Sequence, residues 1–252
     1  MKPPLVKVLL ELWPKKQLRN SMQIGKFIVL DGNDGSGKAT QTKLLAEYLS
    51  TSGIPYEKFD FPSYDKNFFG ELIGECLAGK HGDFVHLDPK IASPLYALDR
   101  LETAPKIRNA LEAGKTVLAD RYASSNQIHQ GGKIKDTKER EEFMQWLEKM
   151  EYEIVGIPRP DAVVYLDVPV EVSLELLTNK RAQKNAQLGG AELDTVEEDR
   201  QYLENSHTTA RWLAEHENNW HFVTCMGEGE LRSREEIHAD VLKIFIRLSS
   251  KD

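Results

Sequence analysis

The sequence predicts an α/β domain, a central parallel sheet of about five strands flanked by helices, with a lid segment. Three observations predict it. Short apolar runs alternate with longer amphipathic stretches along the chain, the rhythm of strand–helix–strand units. The first run, KFIVLD at 26–31, is apolar on both faces, as a strand covered on two sides must be. It ends in a glycine-rich loop that opens directly into a helical pattern.

The elements follow in order. KATQTKLLAEYLSTSG at 38–53 is a helix with Leu44, Leu45, Tyr48 and Leu49 on one stripe and Gly53 as its stop. YEKFDF at 56–61 is a second strand, broken by Pro62. TVLAD at 116–120, AVVYLDV at 162–168 and WHFVT at 220–224 supply the remaining strands. Helical patterns fill 67–77, 89–113, 137–151, 170–179, 197–216 and 234–248, and a serine-rich helix follows the third strand. The stretch NKRAQKNAQLGGAELD, about 179–194, breaks the rhythm: it is polar, cationic at its front and carries Gly189 and Gly190. A loop of this length between two helices of a compact domain reads as a lid.

The 252 residues, 40% of them hydrophobic, bury a full core as one domain, placed at 24–252. Residues 1–23 read as an extension outside the core, basic with Lys2, Lys7, Lys15, Lys16 and Arg19 against Glu11. Lys7 and Glu11 interrupt its apolar stretch, and no small-residue cleavage site follows, which argues against a signal peptide. A net charge of −7 argues against a nucleic-acid-coating role. No apolar run approaches the ~20 residues of a membrane span. Cys76 and Cys225 lack CxxC spacing and read as inert thiols of a reducing compartment, so the expected location is cytoplasmic.

The segment DGNDGSGKATQ at 31–41 carries the chemistry. Its Gly32-x4-Gly37-Lys38 spacing, between a buried strand and a helix, is that of a nucleoside triphosphate loop. Gly32, Asn33, Asp34, Gly35, Ser36, Gly37, Lys38, Ala39 and Thr40 are the expected ATP phosphate-binding residues, and the fold is of P-loop NTPase type. Glycines turn backbone N–H groups inward, the helix N-terminus adds positive charge, and Lys38 reaches the outer phosphates. The usual hydroxyl ligand to Mg²⁺ is missing, because Ala39 stands there and Thr40 brings a hydroxyl one position late. Mg²⁺ takes few protein ligands, so metal positioning is weakened without being abolished. At the end of the third strand, Asp120 holds a metal-bound water or orients an acceptor, and Arg121 clamps a phosphate. In the lid, Lys180, Arg181 and Lys184 are the cations for the transferred group, with Arg181 counted among the catalytic residues.

Five stretches together, DGNDGSGKATQ, FPSY, YALDR, DRYASSNQIHQGG and RPDAVVYLDV, resemble the thymidylate kinase family, which phosphorylates dTMP with ATP. They span the chain from Asp31 to about Ile237. The resemblance implies that Phe61 and Pro62 wall the dTMP pocket and that Tyr96 stacks on thymine. It implies that Arg100 contacts the base and lies near its phosphate. Asp34 approaches the sugar 3′-hydroxyl, Arg121 takes the dTMP phosphate, and Ser125 and Gln130 meet the thymine edge. His129 stands where the family often has Tyr, and Ser63 and Tyr64 follow FP where some members carry arginine. GEGELRSREEIH at 227–238 falls where the family builds its adenine pocket. Mg²⁺ and a homodimer are implied as well. The rival readings are a kinase of another nucleoside monophosphate, a P-loop ATPase or regulatory switch, and a non-catalytic remnant suggested by Ala39.

Overall fold

The computed structural model describes residues 25–188 and 199–250, with the side chains of 180–188 left out. In order, β1 (Phe27–Asp31) leads through the glycine loop into α1 (Lys38–Thr51), then β2 (Tyr56–Asp60), α2 (Phe68–Leu77) and α3 (Pro89–Glu112). There follow β3 (Thr116–Asp120), α4 (Ala123–Gly131), α5 (Thr137–Glu148), a π-helical turn (Lys149–Ile154) and β4 (Ala162–Asp167). The last elements are α6 (Val170–Leu188), α7 (Arg200–His216), β5 (Trp220–Thr224), a small hairpin of β6 (Met226–Gly227) and β7 (Glu230–Leu231), and α8 (Arg234–Ser249).

The main sheet has five strands in the order β2-β3-β1-β4-β5, and every pairing in it is parallel. β1 lies at its centre, and all five of its residues are buried. Its side chains alternate between two cores. Phe27 and Val29 pack with Ile107 of α3, Ile128 of α4, Phe143 of α5 and Leu213 of α7. Ile28 and Leu30 pack with Leu45 and Leu49 of α1 and Val241 and Leu242 of α8. This two-sided cover explains the unbroken apolar run, and each such side chain stabilises the fold by roughly 1.5–3 kcal/mol.

The chain leaves β1 towards β2 and leaves β3 towards β4, so the two connections run in opposite directions and part to opposite faces of the sheet at the adjacent ends of β1 and β3. That divergence opens a crevice at the carboxyl ends of the two strands. The glycine loop and Asp120–Arg121 therefore face each other across it.

Three boundaries differ from the sequence reading. α6 runs through Leu188, so 179–188 continue a helix and do not open a loop. The reason is composition: KRAQKNAQL is rich in helix formers, and no glycine intervenes before Gly189. The remainder of the expected lid, 189–194, and the expected extension, 1–23, lie outside the described residues. The helix expected to reach residue 151 becomes a π-turn after Glu148, closed by Val155 N–H donating to Met150 O at 2.9 Å. The β6–β7 hairpin is too short for any periodicity to announce it.

Candidate active site

The loop between β1 and α1 is built to receive an anion. α1 starts at Lys38 without a side-chain cap and without an acidic residue in its first turn, which leaves its leading N–H groups free for a ligand. Gly35 sits at φ +87°, and a Cβ there would come 2.2 Å from the carbonyl oxygen of Ser173 in α6. Only glycine lets the loop tip rest on that helix. The Asn33 amide and the Ser36 hydroxyl are buried without a partner among the described residues. Lys38 Nζ folds across the loop, donating to Gly32 O and Asn33 O, both at 2.9 Å. Burial, and then Arg121, push its ammonium below the ordinary lysine range, while Asp34, Asp120 and Asp31 pull the other way. Ala39 is exposed and Thr40 half-buried.

Asp31 ties this loop to the next strand end. Fully buried, it accepts from Gly32 N at 2.8 Å, Ser124 Oγ at 2.6 Å and Ser125 Oγ at 2.8 Å. Arg121 follows β3 with φ +64°, a left-handed conformation that costs a non-glycine residue about 1–2 kcal/mol. Its N–H donates to Leu30 O at 2.9 Å, which fixes the turn and aims the side chain back over the loop. There Nη2 donates to Asp34 Oδ1 at 2.7 Å and Nη1 to His129 Nε2 at 3.2 Å. Burial opposes the Arg121 charge, but Asp34 and Asp31 hold it firmly ionised. Burial likewise opposes ionisation of Asp34, yet Arg121 and Lys38 keep its carboxyl well below the usual range. Asp120, at the end of β3, is raised by burial against the pull of Lys38 and Arg121.

Since Arg121 can only donate, His129 Nε2 accepts, and its proton sits on Nδ1 facing Ser206 Oγ at 3.2 Å. Burial, and then Arg121, push the ring down to about 4, so it is neutral. Tyr202 of α7 stacks on it, ring centroids 5.8 Å apart.

One cavity adjoins the loop, and every residue that the resemblance assigned to dTMP lines it: Asp34, Phe61, Pro62, Tyr96, Arg100, Arg121, Ser125, His129 and Gln130. Phe61 is wedged edge-on against Tyr122 at 5.3 Å. Gln130 is buried, and its Oε1 has no protein partner. Arg100 is almost fully buried, bound through Nε to Glu151 Oε2 at 3.1 Å and through Nη2 to Glu151 Oε1.

The sequence reading missed several residues of this neighbourhood. Asp31 was visible only as an acidic end to an apolar strand. Asn126 stood inside the quoted stretch DRYASSNQIHQGG without a role, and Glu151 and Tyr202 carried no signal, because contacts between distant segments leave none in local pattern. The side chains of Lys180, Arg181 and Lys184 lie outside the described residues. The stretch 227–238 forms the hairpin turn and the start of α8, where Ser233 closes a capping box with Glu236. Arg232 there is spent on Thr224 O and Asp240 Oδ2.

Comparison with known proteins gives a consistent picture. A family model described as "Thymidylate kinase" matches residues 30–237. A probable thymidylate kinase of Thermococcus gammatolerans is 35% identical over 162 residues, 62% of this chain and 72% of its own. A thymidylate kinase of Fervidobacterium nodosum is 30% identical over 221 residues, covering 87% of this chain and 98% of its own. The solved thymidylate kinase structure of Candida albicans is similar in fold, with a TM-score of 0.67, 20% identity, and coverage of 89% of this chain and 92% of that one.

Proposed function

The chain belongs to the thymidylate kinase family, and on that premise we propose that it transfers the γ-phosphoryl group of ATP to dTMP, forming dTDP. The observation that carries the reading is the adjacency of a triphosphate loop and a second, separately lined cavity, joined by the Arg121–Asp34 contact. A plain ATPase has no use for a second pocket.

In this reading the loop N–H groups and Lys38 hold the β- and γ-phosphates, and Lys38 exchanges its carbonyl partners for phosphate oxygens. Arg121, released from Asp34, takes the dTMP phosphate, placing nucleophile and γ-phosphorus side by side. Gln130 Oε1, an unpaired buried acceptor, accepts from the N3–H of thymine. Cytosine has no hydrogen there, so the pocket disfavours dCMP. Phe61, Pro62 and Tyr96 supply apolar walls, Ser125 a further hydroxyl, and Asp34, once free, the sugar contact. Lys180, Arg181 and Lys184 are the cations this reading assigns to the transferred group.

Among the described residues, no group of three or more His, Cys, Asp or Glu could hold a metal ion alone. Mg²⁺ needs no such cage, since it keeps its waters and relies on phosphate oxygens; Asp120 through a water and Thr40 through its hydroxyl would hold it. Bound Mg²⁺ would neutralise charge on the phosphate oxygens. The family resemblance extends the reading to a homodimer in the cytoplasm, with light scattering on the purified protein as its check. Among the described residues, no helix is long and apolar enough to cross a membrane.

The deciding experiment is a coupled assay with ATP, Mg²⁺ and dTMP, dUMP, dCMP, dAMP or dGMP as acceptor. We expect dTMP to give the highest kcat/KM. A higher value with dCMP or a purine, or ATP hydrolysis indifferent to acceptor, would overturn the reading.

A further inference from the structure

We propose that Glu151 is the positioning residue behind the pocket's choice of base: it holds Arg100 as a fixed, charge-cancelled hydrogen-bond donor. The proposal rests on the dTMP reading above. Glu151 comes from the π-turn and Arg100 from α3, and their side chains are 1% and 3% exposed. The carboxylate grips the guanidinium side-on, through Nε and Nη2, which fixes the plane of the group as a single contact would not. Glu151 is itself braced. Asn126 Nδ2 donates to the same Oε1 at 2.7 Å and to Ser93 O at 3.1 Å, tying the carboxylate to α4.

This grip leaves the far edge of Arg100 free. Nη1 makes one long contact, 3.4 Å to Tyr122 O, and keeps N–H capacity in the cavity that Arg100 lines together with Asn126 and Gln130. A buried guanidinium lacking a counter-charge would draw a phosphate dianion. One already paired with a buried carboxylate has little net charge to offer, but its N–H groups remain good donors. Its suitable partner is a neutral carbonyl oxygen.

Arg121 differs in the way that matters. It stands beside the triphosphate loop, and its partner Asp34 is 48% exposed and so able to yield to an incoming phosphate. The two arginines therefore divide the acceptor: phosphate at the mouth by the loop, base carbonyl at depth. Thymine and uracil present a carbonyl where cytosine presents an amine, and an amine facing Arg100 sets donor against donor.

The test is Glu151→Gln, which keeps shape and one acceptor but removes the charge. With dTMP, KM should rise by about tenfold or more while the KM for ATP stays within about twofold. The preference for dTMP over dCMP in kcat/KM should fall by about tenfold. Loss of general stability would not move that ratio. Wild-type protein that fails to phosphorylate dTMP rejects the functional reading. Active wild type with unchanged KM and selectivity in folded Glu151→Gln rejects the positioning role alone. Removing one member of a buried ion pair can cost the fold, so Glu151→Asp is the second variant. It keeps the charge but draws the carboxylate back, and should raise the dTMP KM in the same direction with the ATP KM unmoved. Equal rises in both constants, or no rise in either, overturn the proposal.

Discussion

Arg121 Nη2 lies 2.7 Å from Asp34 Oδ1, so the strand-end arginine and the loop's own carboxylate close the mouth of the acceptor cavity on each other. Each cancels the other's charge, and a phosphate entering the cavity must separate them. In the proposed reading the pair is a placeholder: Asp34 keeps Arg121 oriented and ionised until the acceptor's phosphate replaces the carboxylate.

Arg121→Ala should therefore damage acceptor use more than ATP binding. A charged hydrogen bond is worth roughly 1.5–3 kcal/mol, so kcat/KM for dTMP should fall about 10- to 100-fold. Calorimetry with each nucleotide separates the two sites. Lost ATP affinity beside an unchanged dTMP KM would show that the arginine serves the other pocket.

Lys38→Ala should remove nearly all transfer and leave the fold intact. Among the described residues the ammonium is held only by loop carbonyls and Asp34, and burial already disfavours its charge, so little folding energy depends on it. A preorganised electrostatic contact contributes ~2.7–4 kcal/mol to the transition state, or about 100-fold and more in rate. More than about a tenth of wild-type kcat in the variant, with thermal melting unchanged, contradicts the role given to the loop.

Ala39 makes a testable case about metal. Activity should require more free Mg²⁺ than a loop with the usual hydroxyl, and Ala39→Thr should lower the half-saturating Mg²⁺ with little change in dTMP affinity. If Thr40 has taken over as ligand, Thr40→Val should abolish activity and Ala39→Thr should restore it in that background. Identical Mg²⁺ titrations for wild type and both single variants would leave positioning to Asp120, phosphate and water.

His129 predicts a pH dependence of stability. Its folded value, about 4, lies below the unfolded ~6.5, so the unfolded chain takes up the proton first. The contribution is complete above about pH 6.5 and is lost as pH falls towards about 4, on the order of 3 kcal/mol over the window. His129→Gln keeps an acceptor near Arg121 and removes the titration. Between pH 7 and pH 5 the wild-type melting temperature should drop by a few degrees more than that of the variant. Parallel curves would mean the ring titrates normally.

The parts legible in the sequence were those set by local pattern. The three inner strands, β1, β3 and β4, could be read because burial on two faces demands continuous apolar runs, and the edge strands β2 and β5 showed as short mixed runs rich in aromatic and β-branched residues. The triphosphate loop was legible because its glycines, lysine and flanking elements sit together. The resemblance drew from four separate segments a set of residues that the structure gathers in one cavity. The rest depends on meetings between segments far apart in the chain, as Asp31 with Ser124 and Arg100 with Glu151. No periodicity encodes such pairs. Residues 179–188 differ for another reason: the run is polar and cationic, as a loop would be, yet Lys, Gln, Arg and Ala are all strong helix formers.

The contact of Gly35 with Ser173 has a mechanical consequence. α6 stands on the loop tip at its first turn, and the Cα of residue 181 lies about 12 Å further along at about 1.5 Å per residue. A tilt of the helix by about ten degrees about Ser173 would move residue 181 by about 2 Å. The path of the loop and the stance of the helix are thus set against each other, and a side chain at residue 35 would have to displace one of them before the fold could close.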